Sequence, residues 1–182
     1  DGQDRDAGQE ADGEDGDTVT FASLGLPEEI LEAVTDMGFR VPTPIQAAAI
    51  PPLLELRDVV GIAQTGTGKT AAFGLPLLAI VDADERDVQA LVLAPTRELA
   101  MQSAQAIEDF AARTARLDVV PVYGGSPYGP QIGALKRGAQ VVVGTPGRVI
   151  DLIEKGALDL SNVRMLVLDE ADEMLRMGFA ED

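Results

Sequence analysis

From residue 19 onward the chain alternates two hydrophobic rhythms. Runs centred on aliphatic residues, Ala90-Leu91-Val92-Leu93-Ala94, Gln140-Val141-Val142-Val143-Gly144 and Arg164-Met165-Leu166-Val167-Leu168-Asp169, have the length and content of strands, the first of them buried. Asp58-Val59-Val60-Gly61-Ile62 is a shorter run of the same type, and Asp118-Val119-Val120-Pro121-Val122 is a weaker strand because its Pro cannot donate to a ladder. Between these runs the spacing turns helical. Leu26-Pro27-Glu28-Glu29 opens a helix with Ile30, Leu31, Val34 and Met37 on one side, and Gly38 stops it. A proline-punctuated turn from Phe39 to Gln46 leads into a short helix through Ile50, and an Ala/Leu-rich helix, interrupted by Gly74 and Pro76, follows to Ile80. Thr96 caps a helix with Leu99, Ile107, Phe110 and Ala111 inward; another runs from Tyr128 to Lys136 and Arg137 before Gly138; Thr145 and Pro146 open one that reaches Lys155 and closes at Gly156. Strands alternating with helices predict an α/β fold, a mostly parallel sheet with helices on both faces, whose ligands gather at the carboxyl ends of the strands.

Composition sharpens this picture. With 182 residues, 46% of them hydrophobic, the chain can build one α/β domain. Residues 1–18 contain nothing apolar larger than Ala, and their eight acids face the single Arg5, so we expect a disordered acidic leader and a domain over residues 19–182. A solvated leader or linker is the favoured reading of that segment over an interaction tail. The formal net charge is -17, which argues against loose attraction to nucleic acid; any such contact must come from a few placed groups. The chain has no Cys and no His. Disulfides, thiolate metal sites and Ser-His or Cys-His catalysis are excluded, and a general base has to be a carboxylate, Lys or Tyr. No apolar run approaches membrane-spanning length and no signal peptide opens the chain, so a cytoplasmic enzyme without a membrane partner is expected. The first residue is Asp1, which suggests a piece of a longer chain.

The most informative stretch is Ala63-Gln64-Thr65-Gly66-Thr67-Gly68-Lys69-Thr70, a glycine-rich turn between an apolar run and a helix. Strand, loop and helix N-terminus together aim backbone N–H groups and the positive helix end at one point, where a polyphosphate can sit. Gly66 and Gly68 let the backbone curl without Cβ clashes. Lys69 would reach the β- and γ-phosphates and the Thr70 hydroxyl would ligate Mg²⁺. The usual pattern opens with Gly, and here that position is Ala63. Gln46 alone reads as a surface amide. Beside a phosphate loop it can donate to and accept from the exocyclic edge of adenine, while a nearby aromatic ring covers the base.

Further short motifs follow in a fixed order: Phe21, Gly38-Phe39 with Pro42-Thr43-Pro44-Ile45-Gln46, the phosphate turn, Pro95-Thr96-Arg97-Glu98-Leu99-Ala100, Gly124-Gly125, Thr145-Pro146-Gly147-Arg148, and Asp169-Glu170-Ala171-Asp172. As a set, from about Phe21 to the end, this resembles the DEAD-box ATP-dependent RNA helicases of superfamily 2. Glu173-Met174-Leu175-Arg176-Met177-Gly178-Phe179 is most similar to the bacterial cold-shock type. The resemblance implies a RecA-like P-loop NTPase domain, the first of two, using ATP and Mg²⁺. It implies that Gln46 reads adenine with Phe39 packed nearby, that Ala63 is the family's usual opening residue, and that the turn through Lys69 and Thr70 holds phosphates. Asp169 would hold Mg²⁺ through water, and Glu170 would orient and deprotonate the attacking water. Pro95, Thr96, Arg97, Gly124, Gly125, Thr145, Pro146, Gly147 and Arg148 would grip RNA, single-stranded or duplex, without sequence preference, and bend it. The chemistry fits, because isolated cations at helix starts, hydroxyls and a glycine pair can hold a sugar-phosphate strand without reading bases. For Arg148 a salt bridge on the helix surface is an equal alternative.

The family's next element is a strand ending in Ser-Ala-Thr, which in RecA-like sheets lies between the phosphate-loop strand and the DEAD strand. The sequence stops before it and before the second RecA-like domain with its arginine fingers. A domain incomplete at its C-terminal end, poorly stable and inactive alone, is therefore the expectation. Three readings follow. The parent is an RNA helicase or RNP remodeller that couples ATP hydrolysis to local duplex unwinding; or this piece is a nucleotide- or RNA-binding or partner-docking module without turnover; or it is a DNA-directed P-loop ATPase, for which Gln46 and the DEAD tetrapeptide would be coincidences.

Overall fold

Short aliphatic runs can satisfy their backbone only by pairing, and four of them do. In the computed structural model, which describes residues 18–63 and 68–178, β1 (Ala90–Leu93), β2 (Val119–Val122), β3 (Val141–Gly144) and β4 (Met165–Leu168) form a parallel sheet in the order β2-β3-β1-β4. The register sets Ala90 beside Val141 and Met165, and Val92 beside Val143 and Val167. Because side chains alternate across a strand, these residues share one face, which packs with Leu75, Leu77, Ile107 and Phe110. Leu91, Val120, Val122 and Val142 form the other face, against Val149, Leu152 and Leu158. Ile50, Leu75, Leu77, Ile107 and Leu152 are fully buried, each contributing about 1.5–3 kcal/mol of transfer free energy.

The helices are α1 (Glu28–Asp36), α2 (Pro44–Leu54), α3 (Lys69–Ile80), α4 (Arg97–Phe110), α5 (Tyr128–Lys136), α6 (Pro146–Glu154) and α7 (Ala171–Arg176), preceded by a 3₁₀ turn at Phe21–Leu24. The first core face lies under α3 and α4, the second under α6 and the partly buried Tyr128, Ile132 and Leu135 of α5. Helices therefore cover both faces, as the alternation of segments predicts. Two boundaries differ from the sequence pattern. Met37 lies just past the last turn of α1 and is exposed, because the helix ends at Asp36. Helix α2 continues beyond Ile50 through Pro51 and Pro52: the prolines donate nothing, but their carbonyls still accept from Glu55 N and Arg57 N, so the turn closes. Gly74 inside α3 has a packing reason, since a Cβ there would touch Ile107 and Phe110 of α4 at 3.4 Å.

One predicted element is absent. Residues 58–62 form no strand and are exposed, Val60 at 95% and Ile62 at 96%. Strand formation belongs to a pair, and β4 has β1 on one side and, among the described residues, no neighbour on the other. With no partner alongside, an extended run leaves its N–H and C=O groups to water. The same open edge leaves Leu166 and Leu168, in register with Leu91 and Leu93, more than half exposed.

The amino end of the sheet is closed by two buried amides. Gln89 donates to Asp82 O and Glu85 O and accepts from Asp82 N; Gln140 donates to Ala83 O and Arg116 O and accepts from Asp118 N.

Candidate functional site

At the carboxyl end of β4 the ladder extends one residue further, with Asp169 N donating to Leu93 O at 2.9 Å. That bond holds Asp169 in place, 7% exposed. Glu170 then leaves the strand in the left-handed region (φ 53, ψ 49) and opens α7, a conformation that costs a residue bearing a Cβ about 1–2 kcal/mol. From the other side, α3 starts at Lys69 with Gly68 as its N-cap, at φ 78. Glycine has no side chain to cap the first-turn N–H groups, which leaves them for an anion. Lys69 Nζ lies 3.4 Å from Asp169 Oδ1 and 3.9 Å from Glu170 Oε1. Lys69 and the acidic pair, about 100 residues apart in sequence, meet in a cleft of ≈ 880 Å³ that Ala63 also lines. Thr70 is the second residue of α3 and half-buried. Gln64, Thr65, Gly66 and Thr67 lie outside the described residues.

Gln46 belongs to the same region. It is 3% exposed. Its Oε1 accepts from Thr43 N at 2.9 Å while Thr43 Oγ1 caps Gln46 N, a reciprocal capping box at the start of α2. Its Nε2 donates to Gly68 O at 3.0 Å. The amide therefore ties the start of α2 to the start of α3. A Cβ at position 68 would come within 2.2 Å of that Nε2, so glycine is required there for this contact as well as for its positive φ. Phe39 is half-buried, with its ring centroid 6.0 Å from Phe21 and 6.3 Å from Phe110. It anchors the turn before α2 to the core.

A second group of residues lies in the loops after β1, β2 and β3. Pro95 and Pro146 are buried, Pro146 at the first turn of α6. Thr96 Oγ1 accepts from Leu99 N at 3.3 Å and caps α4. Thr145 occupies the N-cap of α6, but its hydroxyl makes no capping bond; its N–H donates to Val122 O. Arg97 is exposed, its guanidinium carbon 4.6 Å above the Tyr123 ring. Gly124, Gly125 and Gly147 are exposed, and a Cβ on any of them would meet nothing within 4 Å.

Arg148 behaves differently. It is 8% exposed, and its Nη1 donates to Ser126 O and to Gln131 Oε1, both at 3.0 Å. Its guanidinium sits 3.9 Å over the Tyr128 ring. Tyr128 donates its hydroxyl to Asp151 Oδ2 at 2.6 Å, which pushes the phenol above its ordinary value. Gln131 donates in turn to Tyr123 O at 3.1 Å. Tyr123, Ser126, Tyr128, Gln131 and Asp151 had no signal in the sequence: their contacts span 17 to 23 residues where they involve Arg148 and Asp151, and single amides and tyrosines on helices usually only fill space.

The architecture and these motifs have close counterparts. A profile described as DEAD/DEAH box helicase matches residues 43–182. The ATP-dependent RNA helicase DeaD of Haemophilus influenzae is 60% identical over 166 residues, covering 91% of this chain and 27% of that protein. DeaD of Escherichia coli is 59% identical over 164 residues, covering 90% and 26%; DeaD of Mycobacterium tuberculosis is 58% identical, covering 90% and 29%. Among solved structures, a DEAD box protein from the hyperthermophile Methanococcus jannaschii superposes with a TM-score of 0.84 at 46% identity, over 89% of this chain and 44% of that one. A hypothetical ATP-dependent RNA helicase from Sulfolobus tokodaii gives 0.76 at 42% identity, over 86% and 45%. The chain thus spans between a quarter and a third of the length of these curated relatives.

Proposed function

Since the chain belongs to the DEAD/DEAH box helicase family, we propose that it is the ATP-binding half of an ATP-dependent RNA helicase. The observation that carries this reading is the convergence of Lys69 with Asp169 and Glu170 in one cleft. ATP bound there supplies the γ-phosphoryl group and, with Mg²⁺, the charge centre for its transfer to water. Lys69 offers a half-buried ammonium that now offsets one of the two charges of the acidic pair and would offset phosphate charge instead. Thr70 and Asp169 are the residues that would hold Mg²⁺. An ion held there by one carboxylate and one hydroxyl would keep water and substrate phosphates as its other ligands. Glu170 takes the proton of the attacking water, the task left to a carboxylate in a chain without His. Gln46 has its amide orientation fixed by Thr43 and Gly68. Its second lone pair and second N–H form an acceptor beside a donor, complementary to the N6–H and N7 of adenine and mismatched to the two acceptors of guanine.

The loops after β1, β2 and β3 form the RNA side of this reading, with exposed glycine backbone and Arg97 toward the sugar-phosphate chain. The reading includes a cytoplasmic location and a second RecA-like domain that closes on the same nucleotide. No helix among the described residues is long and apolar enough to cross a membrane.

ATP hydrolysis measured with single-stranded RNA, with single-stranded DNA and with neither tests the proposal, on the 182-residue chain and on its longer parent. We expect RNA to stimulate the parent and DNA not to, and Glu170→Gln to lower turnover by roughly 10²–10⁴-fold while nucleotide still binds. Equal stimulation by DNA would replace RNA as the substrate. Turnover by the short chain that depends on Glu170 would show that one domain suffices.

A further inference from the structure

Arg148 stands in a motif that the RNA reading assigns to the nucleic acid, yet its charge is directed into the protein. Its guanidinium is covered on one face by Tyr128 and bonded to Ser126 O and Gln131 Oε1. Gln131 bonds Tyr123 O. The turn from Tyr123 to Ser126 is thus held at both ends, one carbonyl by Gln131 and the other by Arg148. Between those anchors lie Gly124 and Gly125, the latter at φ 76, both open to solvent. Arg148 itself follows directly on Gly147, whose backbone is equally open. One side chain therefore ties the backbone of the second loop to the backbone of the third. Tyr128 is fixed for this purpose by its bond to Asp151 one turn further along α6, and Lys155 approaches the same ring at 4.9 Å.

We infer that Arg148 is a positioning residue, which sets the spacing between the Gly124-Gly125 turn and the start of α6, so that RNA meets glycine backbone at both places and not the guanidinium. This rests on the RNA reading of the loops. Turning the side chain outward would take the donor from the buried Gln131 Oε1 and from the partly buried Ser126 O, and would uncover Tyr128. A planar, five-donor fork stacked on a ring is suited to holding two acceptors at a fixed separation; an ammonium is not.

The test is fluorescence anisotropy of a labelled single-stranded oligouridine bound to the 182-residue chain across a salt series. Variants are Arg148→Lys, Arg148→Ala, Gln131→Leu and the double Arg148→Lys/Gln131→Leu, with thermal melts as folding controls. Gln131→Leu removes no charge and Arg148→Lys keeps one, yet each should weaken RNA about tenfold through the lost hydrogen bonds to a charged group. The double variant should be no weaker than either single, and the salt dependence should keep its slope. The inference is overturned if Gln131→Leu and Arg148→Lys bind as wild type while Arg148→Ala lowers the slope by about 0.7, the signature of a lost phosphate contact. If wild type shows no saturable RNA binding, the RNA reading fails separately. Amide hydrogen exchange over residues 123–131 then decides the positioning role alone: faster exchange in Arg148→Lys and Gln131→Leu supports it, unchanged exchange overturns it.

Discussion

Single residues in this chain divide by what a methyl group would meet. Gly144 ends β3, where a Cβ would come within 2.6 Å of Val122 Cγ2 and Val149 Cγ2 and 2.9 Å of Val122 O. Gly144→Ala should therefore cost roughly 1–3 kcal/mol through overpacking, read as a lowered midpoint in urea. Gly147, three residues on, has nothing within 4 Å, so Gly147→Ala should change stability by less than about 0.5 kcal/mol and, on the proposed RNA reading, weaken RNA alone. In the sequence the two glycines look alike, each beside a strand end and a proline turn. The difference is a property of the facing strand, 22 residues earlier in the case of Val122.

Among the elements, those with their own period were legible. Helices α1, α4, α5 and α6 and strands β1, β3 and β4 fall where hydrophobic spacing and capping residues place them. Residues 58–62 carried the same aliphatic signal and form no strand, because periodicity reports what a segment can bury and not whether a partner lies alongside. At the site, Lys69, Asp169, Glu170 and Gln46 were legible as motifs. The contact of Gln46 with Gly68 and the inward turn of Arg148 were not, since both depend on how separate helices dock. The α5–α6 contact through Tyr128 and Asp151 has a signature in alkali. The phenol is raised above its ordinary value of about 10. Its contribution is complete below that unfolded-state value and disappears as pH climbs through the raised one. The stability difference between wild type and Tyr128→Phe should thus be constant near neutrality and shrink above about pH 10, as followed by urea melts.

The whole molecule is shaped by an open edge and by its charge. Leu166 and Leu168 on β4, with Val60 and Ile62 nearby in the same cleft, leave apolar surface beside a strand edge that has no neighbour among the described residues, the arrangement through which sheets associate edge to edge. Leu166→Lys with Leu168→Lys should abolish concentration-dependent light scattering and change stability by less than about 0.5 kcal/mol. Residues 18–182 carry 23 acids against 13 bases, so self-repulsion opposes the compact state. The melting temperature should rise as salt goes from about 0.01 to about 0.1 M, where the Debye length falls from about 30 to about 10 Å. The inward commitment of Arg148 then has a kinetic consequence. With that cation occupied, the three loops offer a passing strand one exposed arginine, Arg97, and a set of amide dipoles on an acidic body. On the RNA reading proposed above, such a surface would capture slowly and release quickly, and the time a strand stays would be set by the second domain that reading includes.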